Sequence, residues 1–288
     1  MSAAVPILVV HPRRRTFGLL RGTGVAGVAS AVVIAVATLV AIAGPIVAPF
    51  NPVAGNISLT FVGPSASHPL GFDFEGRDVF SRLLAGAQSS MVGPLAVVVG
   101  ALALGTLLAV VAAWRRGAAD AGISAGLDIL FAFPGILLAV LATAVFGVGL
   151  LAASVALMIA YTPYVARVLR GAAMKERGQP YVAALEVQGA SGASICLRHI
   201  VPNMMPLIVA QATIMFGWAM VDLAAISFLG LGVQPPAPNW GFMISENQIG
   251  IPQGYPMPAL VAGVCIVIVV IAFSILGERL LEQAQADR

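Results

Sequence analysis

Between Ile129 and Ala166 the chain runs 38 residues without a charged side chain. One membrane-crossing helix needs about 20 apolar residues, because the hydrocarbon core is ~30 Å thick. The stretch is too long for one crossing and right for two, with Gly147-Val148-Gly149 as the turn between them. Four further apolar stretches follow the same arithmetic. The pattern predicts an all-α integral membrane protein with six transmembrane helices, at about 22–44, 90–113, 128–147, 149–169, 203–226 and 258–277. Composition agrees: 59% of residues are hydrophobic and 9% charged, against about 25% charged in a soluble domain.

Arg13, Arg14 and Arg15 precede the first apolar run, which ends in Ala41-Ile42-Ala43. This arrangement imitates a secretory signal, but the run exceeds the usual apolar length of about 7–15 residues. It reads as a first span after a cytoplasmic segment, 1–21. Gly22-Thr23-Gly24-Val25-Ala26-Gly27 matches G-x-G-x-x-G. With no strand before it, close helix packing explains it better than a dinucleotide site.

Charge placement orients the six spans. With both termini in the cytoplasm, Arg13, Arg14, Arg15, Arg21, Arg115, Arg116, Arg167, Arg170, Lys175, Arg177, Arg198, Arg279 and Arg288 lie inside, and only Arg77 and Arg82 outside. That is 13 against 2, the bias of the positive-inside rule. The net charge of +3 is too scattered for a nucleic-acid surface. The orientation makes 45–89 and 230–257 periplasmic, 118–127 a short inside loop and 171–202 a large cytoplasmic one. Gly122 and Gly126 read as a packing pair. Pro134 and Pro163 fall inside spans, where they kink helices.

In the cytoplasmic loop, Pro180 is suited to start a helix and Gly189 to stop it. Tyr181, Ala184, Leu185 and Gln188 share one face at helical spacing. The run Ile195–Val201 then leads to Pro202, where the next span begins. The shape is a short helix, a turn and a return into the membrane; a helix resting on lipid headgroups fits the same pattern.

Elsewhere, Val79, Phe80, Leu83 and Leu84 mark an amphipathic helix, read as lying on the outer surface or as meeting a partner. Trp240, in a proline-rich outer loop, suits a headgroup anchor or a partner contact. Asp222 is the only acid well inside an apolar segment. Such a residue is a functional candidate, with hydrogen bonding near the outer interface as the plain alternative. Cys196 and Cys265 belong to different depths and form no disulfide framework. His11, His68 and His199 sit on three separate segments, so no metal site or catalytic triad is indicated. The sole lysine, Lys175, stands in no phosphate-binding loop. The chain itself is not read as an enzyme.

Three stretches carry a family resemblance: 68–84, 127–139 and 228–241. With Ala184, Gly189, Ala190, Ser191, Arg198 and Pro202 of the cytoplasmic loop, they resemble ABC importer permeases of the dipeptide/oligopeptide type, those with an extended first periplasmic segment. The loop departs from that family's pattern at Ala183, where a glutamate is usual, at Leu185, at Val201, and at Glu186, where arginine is usual. The resemblance implies the type I importer permease fold in a bacterial inner membrane. It implies a permease subunit with no cofactor of its own. A homologous permease, two ATPases binding ATP and magnesium, and an external substrate-binding protein are its implied partners. Short peptides are the implied cargo, with nickel, glutathione or haem-like cargo as family alternatives. It also marks Tyr181, Ala184, Leu185, Gln188, Gly189, Ala190, Ser191, Arg198 and Pro202 as the ATPase-coupling loop. Asp73, Arg77, Asp78 and Trp240 are marked as contacts to a binding protein or a gate. An ion-coupled secondary transporter is the rival class; it requires intramembrane acids or broken helices, for which Asp222 and Asp128 are the candidates.

Overall fold

The computed structural model describes residues 24–286, with side chains to residue 285. The segment 1–21, the start of the first expected span at Gly22, and Arg288 lie outside the described residues. Ten helices account for most of the chain: α1 (Gly24–Val47), α2 (Val79–Arg115), α3 (Gly117–Phe131), α4 (Gly135–Phe146), α5 (Leu150–Arg177), α6 (Pro180–Val187), α7 (Gly192–Ile195), α8 (Val201–Phe228), α9 (Trp240–Asn247) and α10 (Met257–Ala286). Among the described residues the only extended pairing is one isolated bridge between Phe72 and Asp78.

α1 shows how an apolar helix sorts its faces when the solvent is lipid. Gly27, Ser30, Ala37, Ala41 and Gly44 are buried, at spacings of a helical stripe. Val25, Val32, Val36, Leu39, Ile42 and Ile46 point outward and are more than half exposed. Small residues inward and bulky ones outward is the membrane arrangement, since lipid tails solvate valine and leucine as well as a core does. At Gly44 a Cβ would strike the backbone carbonyl of Leu84 on α2. The same device joins α2 to α5: a Cβ at Gly100 would meet Met158, and one at Gly105 would meet Val165.

α2 is longer than the expected span 90–113. It starts at Val79, where Asp78 caps it by accepting from the Ser81 backbone N–H at 2.7 Å. Its 37 residues extend about 55 Å at 1.5 Å per residue. The outer part is held by protein rather than lipid, because Gly86 abuts Asn239 and Trp240. The amphipathic segment at Val79–Leu84 is therefore the first turns of a buried span, not a separate surface helix.

The expected inside loop 118–127 is helical instead, as part of α3. Gly122 and Gly126 face open space within the chain. The expected span 128–147 is not one helix. Pro134 lacks an N–H and disfavours helical backbone at Phe133, so α3 ends and α4 begins on an axis turned by 79°. Five described helices are long and apolar enough to cross the membrane alone; α3 with α4, as one bent crossing, makes six. Pro163, by contrast, is absorbed inside the continuous α5. Cys196 and Cys265 are both free thiols.

Candidate functional site

The loop between α5 and α8, expected on the cytoplasmic side, is built around α6. Pro180 occupies its first turn, where a missing N–H costs nothing. It ends at Gly189, whose φ of +81° suits glycine. Three bonds tie it down. The Tyr181 hydroxyl donates to Glu176 Oε2 at 2.9 Å, and Asn203 Nδ2 donates to the Tyr181 oxygen at 3.1 Å. Arg177 Nη2 pairs with Glu186 Oε1 at 2.7 Å, and its guanidinium lies 4.0 Å over the Trp114 ring. Burial, then the Glu176 carboxylate, pushes the Tyr181 phenol up to about 12, so it remains a hydrogen-bond donor at physiological pH.

α6 is tied to the end of α5 and the start of α8, and this splits the face predicted from spacing. Val182 is fully buried, and Tyr181 and Leu185 pack against the core. Ala184 and Gln188 point the other way, with Ala183 and Val187. At 100° per residue, positions 183, 184, 187 and 188 form the outward strip. Val187 is 90% exposed, and Leu197, just beyond the turn, is 70% exposed. Neither was singled out from the sequence. The available signal was a bulky apolar residue opposite Val182 on an eight-residue helix. Ala190 packs inward, Ser191 caps α7 by accepting from the Ser194 N–H, and Arg198 and Pro202 are exposed. A Cβ at Gly192 would run into the Trp114 indole. Glu186, the departure from the family pattern, is thus answered within the chain by Arg177.

A second feature lies at the α3–α4 break. A hollow of about 430 Å³ opens there, lined by Phe131, Phe133, Tyr161, Tyr164, Trp218 and Asp222 among others. The Tyr161 hydroxyl donates to Asp222 Oδ2 at 2.7 Å. Tyr164 donates to Gln211 Oε1 at 3.1 Å and meets the Trp218 ring edge-on at 5.3 Å. At one side Arg167 pairs with Asp128 at 2.7 Å and lies 4.7 Å from the Phe131 ring. Asp128 is therefore a partner of arginine, whereas among the described residues Asp222 has no cationic partner.

At the other end of α2, Asp73, Arg77 and Asp78, expected as contacts to a binding protein or a gate, are buried in the chain's own fold. Arg77 binds Asp73 at 2.7 Å, Glu75 at 2.8 Å and Glu246 at 2.9 Å. Arg82 binds Glu246 at 2.7 Å and the Pro52 carbonyl at 3.1 Å. Burial works against the Arg77 guanidinium, but Asp73 and Glu246 outweigh it and push its pKa up. His68 Nδ1 lies 2.9 Å from Asp78 Oδ1. Trp240 is 4% exposed, and its indole N–H donates to the Leu83 carbonyl at 2.9 Å. It is neither a headgroup anchor nor an exposed contact. Charged side chains in a loop normally seek water; here charges from residues 73–82 meet the distant Glu246, a pairing that spacing does not reveal.

Among the described residues no three His, Cys, Asp or Glu side chains converge as a metal site.

Residues 101–286 match the family described as "Binding-protein-dependent transport system inner membrane component". The chain is similar to the dipeptide transport system permease protein DppC of Alkalihalophilus pseudofirmus, with 36% identity over 94% of this chain and 88% of that one. It is also similar to the glutathione transport system permease protein GsiD of Pectobacterium atrosepticum (38% identity) and of Escherichia coli O157:H7 (40%). Each of these alignments covers 76% of this chain and 72% of the relative. Among solved structures, a chain of the MetNI methionine ABC transporter in an inward-facing conformation superposes with a TM-score of 0.50 at 25% identity. That superposition covers 72% of this chain and 94% of the other.

Proposed function

We propose that this chain, which belongs to the family of binding-protein-dependent transport system inner membrane components, is the pathway-forming permease subunit of an ATP-driven importer of short peptides. It pairs with a homologous permease, receives cargo from an external binding protein, and is driven by two separate ATPase subunits that bind ATP and magnesium. The observation that carries this reading is α6. It is a short helix on the positive, cytoplasmic side, anchored by Tyr181, Glu176 and Asn203, with Ala183, Ala184 and Val187 turned outward. A small apolar knob with polar anchoring is a docking element for a motor domain. Because only two residues join α6 to α5, and a short turn joins it to α7 and α8, a push on it moves the adjoining ends of both long helices.

The peptide cargo rests on similarity to DppC. Similarity to GsiD makes glutathione, itself a small peptide, an equally suited cargo.

A second reading has its own observation: the broken α3–α4 crossing, and Asp222 with no cationic partner among the described residues, are features of ion-coupled secondary transporters. Uptake in sealed vesicles separates the two. For an ATP-driven importer, ATP depletion abolishes accumulation and ionophores leave it largely intact. The opposite pattern overturns the proposal.

A further inference from the structure

Inside the membrane an ionised carboxylate without a cation opposite it is costly, and such groups mark function. Among the described residues Asp73, Glu75 and Glu246 pair with Arg77, Glu246 also with Arg82, Asp120 with Arg170, Asp128 with Arg167, Glu186 with Arg177 and Glu282 with Arg279. Asp222, inside the apolar α8, has no guanidinium partner among the described residues. Its Oδ2 accepts from Tyr161, and it faces a hollow whose volume of about 430 Å³ falls within the range of small-molecule sites, about 300–1,000 Å³. The other walls are aromatic: Phe131, Phe133, Tyr161, Tyr164 and Trp218. Aromatic faces carry negative potential and attract cations. Arg167, beside the Phe131 wall, is held by Asp128 and stacked on Phe131, so it does not neutralise Asp222.

We propose that this hollow at the α3–α4 break is a cation-accepting station on the transport path, which takes the terminal ammonium of a peptide cargo with Asp222 as its counter-charge. Tyr161 is a positioning residue: its hydroxyl occupies Oδ2 and leaves Oδ1 to the cargo. The aromatic rings hold the ammonium by their faces without committing to a side chain, which suits cargo of varied sequence. The identity of the cargo rests on the importer reading above; the preference of the hollow for positive charge does not.

The test separates the two. In the complete transporter, with Cys196→Ser and Cys265→Ala, Ile136→Cys places one thiol on the wall of the hollow. Its reaction rates are measured with a cationic and a neutral methanethiosulfonate of similar size. With Asp222 present the cationic reagent is favoured. Asp222→Asn, whose oxygen still accepts from Tyr161, should lower the cationic-to-neutral ratio at least about fivefold, as expected for loss of one nearby charge in a medium less polar than water. Asp222→Glu should keep the ratio. A ratio unmoved by Asp222→Asn overturns the proposal, because it leaves Asp222 only its hydrogen bond to Tyr161. In parallel, uptake of dipeptides and of glutathione by the unmodified transporter tests the importer reading: the absence of both sinks that reading while the labelling ratio still decides this one.

Discussion

The two ends of this molecule are held together by different physics. At the outer end, residues 72–82 and α9 are locked by buried charge: Arg82 is fully buried between Glu246 and Asp73, and Arg77 meets Asp73, Glu75 and Glu246. At the inner end, α6 is held by one buried valine, two half-buried side chains and a few polar contacts near water. A buried ion network tolerates no partial opening, since each charge left behind is unpaired. A surface clamp of single hydrogen bonds yields at small cost. The contrast fits a subunit whose outer end stays fixed while its inner end is pushed.

The largest effect should come from the outer end. Arg82→Met leaves the buried Asp73 and Glu246 with Arg77 as their one shared cation and should destabilise the protein by about 3–5 kcal/mol, read as a large drop in thermal stability in detergent. Unchanged stability would dissolve the contrast between the ends. Next, Gly189→Trp forces a left-handed backbone on a residue with a Cβ, a strain of about 1–2 kcal/mol, and sets an indole beside the docking strip. Uptake should be lost while the protein stays in the membrane and the complex still hydrolyses ATP; normal uptake would count against α6 as the coupling element. Val187→Asp leaves the fold unaltered, because Val187 touches little of its own chain, but should weaken ATPase docking by about 1–2 kcal/mol, measured by co-purification of the motor subunits. The smallest change is expected from Glu186→Gln. The Arg177–Glu186 pair is partly exposed, so stability should fall by at most about 1 kcal/mol. A loss as large as that of Arg82→Met would show that the inner end is also locked.

Much of this architecture was legible in the order of residues. The crossing count follows from apolar lengths, and the limits of α6 from Pro180 and Gly189. Less legible was anything that depends on which side of a helix meets protein. Tyr181, Ala184, Leu185 and Gln188 share a face by spacing, yet the packing of α5 and α8 takes Tyr181 and Leu185 inward and leaves Ala184 and Gln188 outside. In α1 and α2 hydrophobicity says little about direction, since lipid and protein interior are both apolar. There the small residues are the better guide: Gly44, Gly100 and Gly105 mark the contacts.

The charged residues divide the same way. That Asp222 is an acid within a membrane segment, and that Asp73, Arg77 and Arg82 crowd the entrance to the second span, belongs to the sequence alone. Which of them are paired belongs to the tertiary structure. Glu246 lies more than 160 positions from Arg77 and Arg82, and only the docking of α9 on the outer turns of α2 brings it between them. Asp222 meets Tyr161 rather than an arginine because α5 and α8 pack with those two side chains facing each other. Length, hydropathy and charge are properties of a segment and act before any packing. Ion pairs and cavities are properties of distance, and distance exists only once the helices have met.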